Sequence, residues 1–194
     1  MTSGHQTEPC PWWLGYVLAS PLRKLFQDPS SLVAPYVEEG MVVLEPGCGM
    51  GFFTLELARR VGKTGKVVAL DLQSKMLDGL HRRAGRAGLL DRIDIRKTEE
   101  HRLGIADLVE RVDFGVAFYV VHELANPAGF FGEIHDSLRP EGVLLVVEPR
   151  EHGGGDAGLE DSIDLALQAG LVVVDRPTIK RNQVVLLGKR PAAS

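Results

Sequence analysis

The stretch VVLEPGCGMGFFTLELA, from Val42 to Ala58, decides the fold of this protein. It begins with an apolar, β-branched run, continues with glycines at positions 47, 49 and 51, and ends in helical periodicity. This pattern predicts a buried strand, a tight glycine turn and a helix. A ligand can approach the backbone at such a turn, and free amides at the helix start would face an anionic group. The stretch therefore predicts a binding site for a small anionic or zwitterionic group.

The glycine spacing narrows the choice of ligand. A dinucleotide fingerprint, G-x-G-x-x-G, needs glycine at position 52, where this chain has Phe52. A phosphate-binding P-loop needs a Gly-Lys-Ser/Thr ending, which this loop lacks. Asp71 ends the next apolar run, 20 residues beyond Gly51, where an acid accepts hydrogen bonds from ribose hydroxyls. These features favour a ligand that carries an unphosphorylated ribose.

Short apolar runs and helical patterns alternate outward from this stretch. Strands are predicted near residues 41–45, 66–71, 92–97, 112–120 and 142–148. Helices are predicted between them near residues 53–61, 74–87, 104–110 and 126–138, the last with Asn126 as N-cap and Pro127 in the first turn. Such an alternation predicts parallel βαβ units in a doubly wound sheet.

The two ends of the chain depart from this alternation. Residues 153–170 predict a glycine hinge and a helix, and residues 171–189 predict two strands. Their connection is too short for a parallel crossover, so they should form an antiparallel hairpin. Asp28 and Pro29 predict the start of a helix that ends near Gly40. We therefore divide the chain into an N-terminal helical or irregular cap segment, residues 1–40, and a ligand-binding domain, residues 41–190.

Length and composition limit the class of protein. The chain has 194 residues, 44% of them apolar and 25% charged, as expected for one globular domain with a short extension. The net charge of −4 argues against a nucleic-acid partner that is bound through a broad basic face. Arg82, Arg83 and Arg86 lie on one predicted helix, where they form either a local basic patch or a solvated helix face.

Cysteine content and hydropathy indicate the compartment. Cys10 and Cys48 are too few for a disulfide framework and form no Cys-x-x-Cys zinc pattern, which favours a reducing compartment. The N-terminal stretch lacks the basic region of a signal peptide, and no run reaches the roughly 18 apolar residues of a membrane helix. We therefore expect a soluble, cytoplasmic protein.

Five segments occur in the order of the motifs of a known family: VVLEPGCGMG, VVALDLQSKML, IDIRKTEE, VDFGVAFYVVHEL and LRPEGVLLVVEP. Residues 41–150 thereby resemble a class I S-adenosylmethionine-dependent methyltransferase, of the small-molecule branch that includes the ubiquinone/menaquinone-biosynthesis-like enzymes. The resemblance implies S-adenosyl-L-methionine as cofactor and S-adenosyl-L-homocysteine as product. It also implies a single-domain α/β fold, a Rossmann-like doubly wound sheet of seven strands, mostly parallel, with a C-terminal antiparallel hairpin.

The resemblance also implies, position by position, which residues hold the methionine and ribose parts of the cofactor. Glu45 and the loop from Gly47 to Gly51, with Cys48 and Gly49 between them, would cradle these parts. Glu45 stands where the family more often has Asp. Cys48 is either a reactive thiol or a small residue that fits the loop.

The remaining cofactor contacts that the resemblance implies follow later strands. Asp71 would bind the ribose hydroxyls and Leu72 would lie beside the adenine. Glu99, preceded by Thr98, stands where the family places an acid near the adenine amino group, although Thr-Glu-Glu replaces the commoner Gly-Asp-Ala. Tyr119 would lie near the methionine part.

Four polar residues follow the fourth and fifth predicted strands, where ligands of open α/β sheets bind: His122, Glu123, Glu148 and His152. His122 is the candidate catalytic residue, as a base or an acceptor-positioning group, and the alternative is a packing residue at a helix start. A metal site of these four residues is a further alternative, but their spacing matches no known zinc pattern and no metal is predicted.

The methyl acceptor is not identified by the sequence. Transfer to a hydroxyl or an amine needs a general base, whereas a thiol or an activated carbon needs little help. The segment Cys10-Pro11-Trp12-Trp13 is either an aromatic lid over the acceptor or an anchor on the sheet edge. A small-molecule acceptor is the main hypothesis, and the alternatives are a non-catalytic S-adenosylmethionine-binding protein and a methyltransferase acting on RNA or protein. Homo-oligomerisation is left open.

Overall fold

The computed structural model describes residues 29–150, 157–179 and 182–189. Within these ranges one sheet contains seven strands: β1 Val42–Pro46, β2 Lys66–Asp71, β3 Ile93–Lys97, β4 Val112–Phe118, β5 Leu138–Pro149, β6 Leu171–Asp175 and β7 Asn182–Lys189. The α-helices there are α1 Pro29–Val33, α2 Thr54–Arg60, α3 Ser74–Ala87, α4 Pro127–Ser137 and α5 Ala157–Gln168. Short 3₁₀ helices span Leu90–Arg92, Ala106–Leu108 and Val121–Glu123. No helix within the same ranges has both the length and the apolar character needed to cross a membrane.

The strand order is β3-β2-β1-β4-β5-β7-β6. The first five strands pair in parallel, and β7 runs antiparallel to both β5 and β6. This arrangement confirms the predicted seven-stranded, mostly parallel sheet with its C-terminal hairpin. The chain moves outward from β1 to β3 and then returns to place β4 on the other side of β1. Ligands of open α/β sheets bind at this switch point, beyond the carboxyl ends of β1 and β4.

Apolar side chains cover both faces of the sheet. One face packs against α2 and α3, and its sheet residues include Val43 and Phe114. The other face packs against α4 and α5, and its sheet residues include Leu44 and Val146. Because successive strand residues point to opposite faces, a strand buried on both sides needs a nearly continuous apolar run. The structure therefore confirms the doubly wound arrangement.

Helix α1 is shorter than predicted. It ends at Val33, whereas the sequence predicted a helix that continues to near Gly40. Pro35 explains the difference, because its ring removes a backbone donor and disfavours helical geometry at the preceding residue. The predicted N-cap, Asp28, lies outside the described residues.

The predicted helix over residues 104–110 is a single 3₁₀ turn, Ala106–Leu108. The carboxylate of Glu133 on α4 accepts hydrogen bonds from the amides of Leu103 and Gly104 at 2.8 and 2.9 Å. The segment before the turn is thus held by a side chain of another element, which local periodicity does not reveal.

Strand β5 begins at Leu138, four residues before the predicted start at Gly142. Leu138 pairs with Val112 and Val143 pairs with Phe114, so the register shifts between these pairs. A Cβ at Gly142 would lie 2.6 Å from the carbonyl oxygen of Val112. The register shift therefore requires glycine at this position.

Candidate functional site

Most of the predicted site residues lie at the carboxyl edge of the sheet. Glu45 lies near the end of β1 and Asp71 ends β2. Tyr119 follows β4 directly, His122 lies in the next 3₁₀ turn, and Glu148 lies near the end of β5. Parallel strands present their carboxyl ends at the same edge, so residues far apart in sequence meet at the switch point.

The three loop glycines have positive φ angles, 70° at Gly47, 54° at Gly49 and 81° at Gly51. L-residues rarely adopt such angles. A Cβ at Gly47 would approach Val120 Cγ2 to 2.7 Å, and a Cβ at Gly51 would overlap the fully buried Leu80. A Cβ at Gly49 would meet no atom within 4 Å. The outer two glycines thus allow close packing, whereas Gly49 faces open space where a ligand can approach.

Asp71 holds the loop in this shape. Its Oδ2 accepts a hydrogen bond from the amide of Gly49, and its Oδ1 accepts one from the amide of Gln73, both at 2.8 Å. The amides of Cys48 and Gly51 donate to Leu70 and Cys48 carbonyl oxygens at 2.9 and 3.0 Å. Three amides of the loop are therefore engaged within the protein. Because Asp71 and two carbonyl groups accept from these amides, they do not face an anion, and the role of the amides at the helix start stays a prediction.

Burial raises the pKa of Asp71, although the two amide hydrogen bonds lower it in part. Each carboxylate oxygen has two lone pairs, so both oxygens can accept a further hydrogen bond while they hold the loop. Asp71 is thus suited to bind ribose hydroxyls as predicted, and it supports the loop at the same time.

Helix α3 supports the loop from behind. Arg83 donates a hydrogen bond from Nη1 to the carbonyl oxygen of Met50, and Gly79 leaves room for the Met50 side chain. Burial and the charge of Arg59 lower the pKa of Arg83. Arg83 is therefore a support of the loop, whereas the sequence offered only a basic patch or a solvated helix face for it.

Glu45 is a buried carboxyl group under the loop, with 5% of its surface exposed. Its Oε2 atom has no hydrogen-bond partner among the described residues. Burial raises the pKa of Glu45 to about 8, hydrogen bonding to Thr54 lowers it in part, and the charge of Asp71 raises it further. A buried carboxyl oxygen without a partner is costly, and a cationic group beside it would remove that cost.

A row of aromatic rings runs from the loop toward β7. The ring centroids of Phe53 and Phe118 lie 4.5 Å apart, and those of Phe118 and Tyr119 lie 4.3 Å apart. Tyr119 has a φ of 57°, and its hydroxyl donates a hydrogen bond to Asn182 Oδ1 on β7. A non-glycine residue at such an angle is strained and is often part of a functional site.

His122 and Glu148 meet across the ends of β4 and β5. The His122 Nδ1 atom forms a hydrogen bond with Glu148 Oε2, and Glu148 Oε1 accepts a hydrogen bond from the Val121 amide at 2.9 Å. The Glu148 side chain is 7% exposed, whereas that of His122 is 48% exposed. Glu123 Oε1 lies 3.9 Å from His122 Nε2. The buried carboxylate thus fixes a half-exposed imidazole at the edge where a second substrate would bind.

The sequence matches the methyltransferase domain family over residues 37–171. The chain belongs to this family. A crystal structure of an S-adenosylmethionine-dependent methyltransferase from Aquifex aeolicus is similar to the methyltransferase domain, with a TM-score of 0.80 and 26% identity, over 92% of this chain and 98% of that chain. S-adenosylmethionine is the cofactor of the family.

Two curated relatives have names that describe their reactions. The ubiquinone/menaquinone biosynthesis C-methyltransferase of Hydrogenovibrio crunogenus is 30% identical over 112 residues, 58% of this chain and 43% of the relative. The ubiquinone biosynthesis O-methyltransferase of Cereibacter sphaeroides is 29% identical over 141 residues, 73% of this chain and 52% of the relative. The chain thus spans about half the length of these curated relatives. One relative is named for transfer to carbon and the other for transfer to oxygen, so the names do not decide the acceptor atom.

The residues of the methyltransferase domain fit S-adenosylmethionine. The cofactor carries an ammonium and a sulfonium group, and the site offers the buried carboxyl group of Glu45 with its unpaired oxygen. The open side of Gly49 admits a ligand against the backbone, and Asp71 retains lone pairs for ribose hydroxyls. The fit rests on the two carboxyl groups, Glu45 and Asp71, and on the open side of the loop.

The residues predicted near the adenine lie beyond the end of β2. Leu72 follows Asp71 with 39% of its surface exposed, and the Thr98 amide donates to the Asp71 carbonyl oxygen at 3.0 Å. Glu99 is exposed and pairs through its backbone with Arg102. Leu72 and Thr98 thus border Asp71, whereas the Glu99 side chain has no contact that fixes it toward the adenine.

The side chain of Cys48 is part of the core. It is 5% exposed, and burial raises the pKa of its thiol well above the usual value, with the charges of Glu45 and Asp71 acting in the same direction. A protonated, buried thiol is a poor nucleophile. Of the two interpretations of Cys48, the structure favours the small residue that fits the loop.

A cavity of about 550 Å³ lies near the C-terminal hairpin. It lies between the end of β5 and the beginnings of α5 and β7. Asn182, the partner of Tyr119, lines it, and so does Gln183, which pairs with Glu148 across β5 and β7. Its volume is within the range of small-molecule pockets.

Some predicted features lie outside the described residues. They are His152 and the segment Cys10-Pro11-Trp12-Trp13, so the lid and anchor alternatives stay predictions. Among the residues that the structure describes, no group of three or more His, Cys, Asp or Glu side chains is arranged to hold a metal ion.

Sequence reasoning missed three supporting residues. Arg83 is visible in the sequence only as one of several arginines on a helix, and its distance from Met50, 33 residues, gives no signal. Asn182 lies 63 residues from Tyr119 and contacts it only because β7 returns beside β5. Glu133 lies about 30 residues from the amides that it accepts from. Asn182 begins β7, the second strand of the predicted hairpin. Its contact with Tyr119 could be predicted only once the position of β7 in the sheet is known.

Proposed function

We propose that this protein transfers a methyl group from S-adenosylmethionine to a small-molecule acceptor. The observation that carries the proposal is the Glu45 carboxyl group, which is buried under the glycine loop with one oxygen unpaired. A cationic cofactor supplies this carboxyl group with both a hydrogen-bond donor and a compensating charge, whereas an anionic group beside it would be repelled. The loop is held by Asp71, which is free to accept further hydrogen bonds.

Each part of the site has a separate task in this proposal. When bound, S-adenosylmethionine supplies an electrophilic methyl group on a sulfonium. Glu45 binds the cationic methionine part and Asp71 binds the ribose. The row Phe53, Phe118 and Tyr119 excludes water beside the methionine part, which favours in-line displacement because alignment and desolvation lower its barrier. His122 is the proposed catalytic residue at the acceptor side.

The acceptor is proposed to be a small molecule. The cavity lined by Asn182 and Gln183 has the volume of a small-molecule pocket, and both curated relatives described above are named for quinone biosynthesis. Quinone-type phenols are therefore the first acceptors to test.

We place the protein in the cytoplasm, because its few cysteines fit a reducing compartment. We expect no nucleic-acid partner, because the net charge is −4.

The test is calorimetric binding of S-adenosylmethionine and S-adenosylhomocysteine to the wild type and to Asp71→Ala. The wild type is expected to bind both, and Asp71→Ala is expected to bind each at least about tenfold more weakly, because loss of a charge-assisted hydrogen bond removes about 1.5–3 kcal/mol. A methyl-mass increase in a phenol panel would then report transfer.

Asp78→Asn is the matched control. Asp78 is exposed on α3, seven residues beyond Asp71, and has no place in the proposed site. Its variant is expected to bind like the wild type. Absence of binding of either ligand to the wild type would overturn the proposed function.

A further inference from the structure

We infer that His122 and Glu148 form a base dyad that removes the proton of an acceptor hydroxyl, so that the methyl group is transferred to oxygen. This inference rests on the proposed function and names the acceptor class of the same site. The acceptor is then a phenol whose hydroxyl reaches His122, and Glu148 is a positioning residue that acts through the imidazole.

The first support is the burial of the Glu148 carboxylate and the number of its donors. Only 7% of the side chain is exposed, and each oxygen has a donor, the Val121 amide at 2.9 Å for Oε1 and His122 for Oε2. A buried carboxylate is costly unless its oxygens accept hydrogen bonds. Val121 and His122 are neighbours in the 3₁₀ turn after β4, so this turn binds the carboxylate through both its backbone and its side chain.

The second support is the tautomer that this contact imposes. An ionised carboxylate only accepts hydrogen bonds, so the Nδ1 atom of His122 must carry its proton toward Glu148. The neutral imidazole then has its basic lone pair on Nε2. With 48% of the His122 side chain exposed, the ring borders solvent at the acceptor edge while Glu148 holds its orientation. A carboxylate behind a histidine raises the basicity of the ring and fixes its tautomer.

Further negative charge surrounds the ring. Glu148 of β5 contacts Nδ1, and Glu123 of the same 3₁₀ turn lies 3.9 Å from Nε2. Asp71 of β2 acts on Glu123 and raises its pKa, although burial is the larger cause. These carboxyl groups stabilise the imidazolium that forms when the ring takes a proton.

The chemistry of the acceptor follows from the need for such a base. A thiol has a pKa near 8.5 and ionises readily, whereas phenols have values near 10 and gain from a positioned base. A thiol acceptor would therefore gain little from an imidazole base that a carboxylate orients. The relatives differ in the acceptor atom that their names give, so the dyad is the feature of this chain that decides between oxygen and carbon.

The step balances without a further reactant. His122 Nε2 takes the hydroxyl proton while the acceptor oxygen attacks the methyl carbon. The oxygen–carbon bond forms and the carbon–sulfur bond breaks, and its electron pair stays on sulfur, which becomes a neutral thioether. The proton rests on the imidazolium, whose charge Glu148 balances, and then leaves to solvent from the exposed ring.

The main variant is Glu148→Gln, which keeps the shape of the side chain. The glutamine can accept from the Val121 amide with its oxygen and donate its NH₂ group to His122 Nδ1, which places the ring proton on Nε2. Turnover is expected to fall by about 10²–10⁴-fold, as for loss of a general base or its correct tautomer. Affinity for S-adenosylmethionine and the melting temperature should stay close to those of the wild type.

The chain offers a matched control in a second histidine–carboxylate pair. His135 Nδ1 lies 3.1 Å from Asp136 Oδ1 on α4, where the Asp136 side chain is 72% exposed. The variants His135→Asn and Asp136→Asn are expected to have wild-type turnover. They show that loss of an imidazole or a carboxylate elsewhere in the protein does not produce the effect.

Two readouts separate positioning from a structural role. Nitrogen-15 NMR of the cofactor-free protein should show the His122 ring protonated on Nδ1 at high pH in the wild type and on Nε2 in Glu148→Gln. In a series of phenols of decreasing pKa, His122→Asn and Glu148→Gln should lose least with nitrophenols, which ionise without a base.

The outcomes distinguish this inference from the proposed function. Nδ1 protonation in the wild type and rescue by acidic phenols would support the dyad. Nε2 protonation in the wild type would overturn it, and so would methylation of thiophenols but not of phenols, or equal losses with acidic and ordinary phenols. A wild type that binds S-adenosylmethionine and methylates no phenol also overturns the dyad and leaves the proposed function standing. Failure to bind S-adenosylmethionine overturns the proposed function itself.

Discussion

At the scale of single residues, Glu45 shows how a binding site lowers stability. Its carboxyl group is buried and lacks a partner for one oxygen, and its pKa is about 8 instead of the usual 4.5. Between these two pH values the folded chain holds a proton that the unfolded chain has lost. Unfolding therefore becomes easier as the pH rises from about 4.5 to about 8, and the effect is complete above that range.

Glu45→Gln should raise the melting temperature of the cofactor-free protein at pH values above the pKa of Glu45 and weaken the binding of S-adenosylmethionine. The glutamine carries no charge to bury, and each pH unit of the window is worth about 1.4 kcal/mol, or about 3–6 °C in a chain of this size. Thermal scans on either side of the window and calorimetry measure the two effects. The wild type should also release a proton on binding, seen as a heat that depends on the buffer.

Glu38→Gln is the control, because Glu38 is exposed before β1 and lies outside the site. It should change neither the melting temperature nor the heat of binding. If Glu45→Gln were destabilising on both sides of the pH window, the carboxyl group would have a structural partner that stabilises the folded state.

The loop glycines differ in what they contribute. Gly51→Ala should lower the free energy of unfolding by about 2–4 kcal/mol, because a left-handed φ is strained in alanine and its Cβ would overlap the buried Leu80. Gly49→Ala should cost only about 1–2 kcal/mol from the φ angle, because its Cβ meets no atom within 4 Å. Urea unfolding measures both values.

Affinity should show the reverse order. The Cβ of Gly49→Ala projects into the open side of the loop, so the loss of S-adenosylmethionine affinity should exceed the loss of stability. Gly51→Ala, where it remains folded, should bind more nearly as the wild type does. Equal losses of stability in the two variants would contradict the distinction between packing and ligand approach.

At the scale of residues, the sequence identified candidate site residues better than it identified the contacts between them. Glu45, Asp71 and His122 were found because glycine spacing, strand ends and family motifs mark their positions. The contacts from Glu148 to His122 and from Asn182 to Tyr119 span 26 and 63 residues, and they depend on which strands are neighbours. The engagement of loop amides by Asp71 was missed, because spacing shows that an acid is near the loop but not which donors it accepts from.

At the scale of elements, helix α4 begins where the sequence predicts. Asn126 is the N-cap and accepts a hydrogen bond from the Gly129 amide at 3.1 Å, and Pro127 occupies the first turn. A Cβ at Gly129 would overlap the Asn126 side chain, so the cap and the glycine require each other. The helix start is thus encoded within four residues, which explains why local reasoning located it.

Asn126→Ala should lower the free energy of unfolding by about 1 kcal/mol and the melting temperature by about 2–4 °C, because an unpaired helix amide loses its acceptor. Asn126→Asp should remain close to the wild type, since aspartate is an equally good cap. Thermal and urea unfolding measure both variants. Equal losses for alanine and aspartate would show that the cap hydrogen bond is not the interaction lost.

Elements that depend on contacts with other elements were predicted less well than elements that are determined by their own local sequence. Helix α3 was predicted over its full length, 74–87, because its periodicity and its end at Gly88 are local. The segment before the 3₁₀ turn at 106–108 depends on Glu133 of α4, and the early start of β5 depends on pairing with β4. Such contacts join distant parts of the chain, so no local pattern encodes them.

At the scale of the whole molecule, the sheet was predictable because both of its faces are covered. A strand buried on two sides must be apolar along its length, and the central strands β1, β2 and β4 are visible as short apolar runs. The edge strand β3 instead alternates apolar and charged residues. The order β3-β2-β1-β4-β5 follows from the right-handed crossover rule once the switch point is placed after the glycine loop. The hairpin was predicted from its short connection, whereas its docking order, with β7 between β5 and β6, was not predicted.

The position of β7 has a consequence for synthesis on the ribosome. Strand β7 follows β6 in the chain but lies between β6 and β5 in the sheet. Until β7 has emerged, β6 lacks the strand with which it pairs. The β5 segment from Val143 to Pro149 also lacks its antiparallel neighbour, so one side of it has unpaired backbone groups. An open edge of this kind recruits strands from other nascent chains. The pairing of β7 with β5 covers that edge and also brings Asn182 to Tyr119. The same step therefore removes the aggregation hazard and forms this contact of the candidate site.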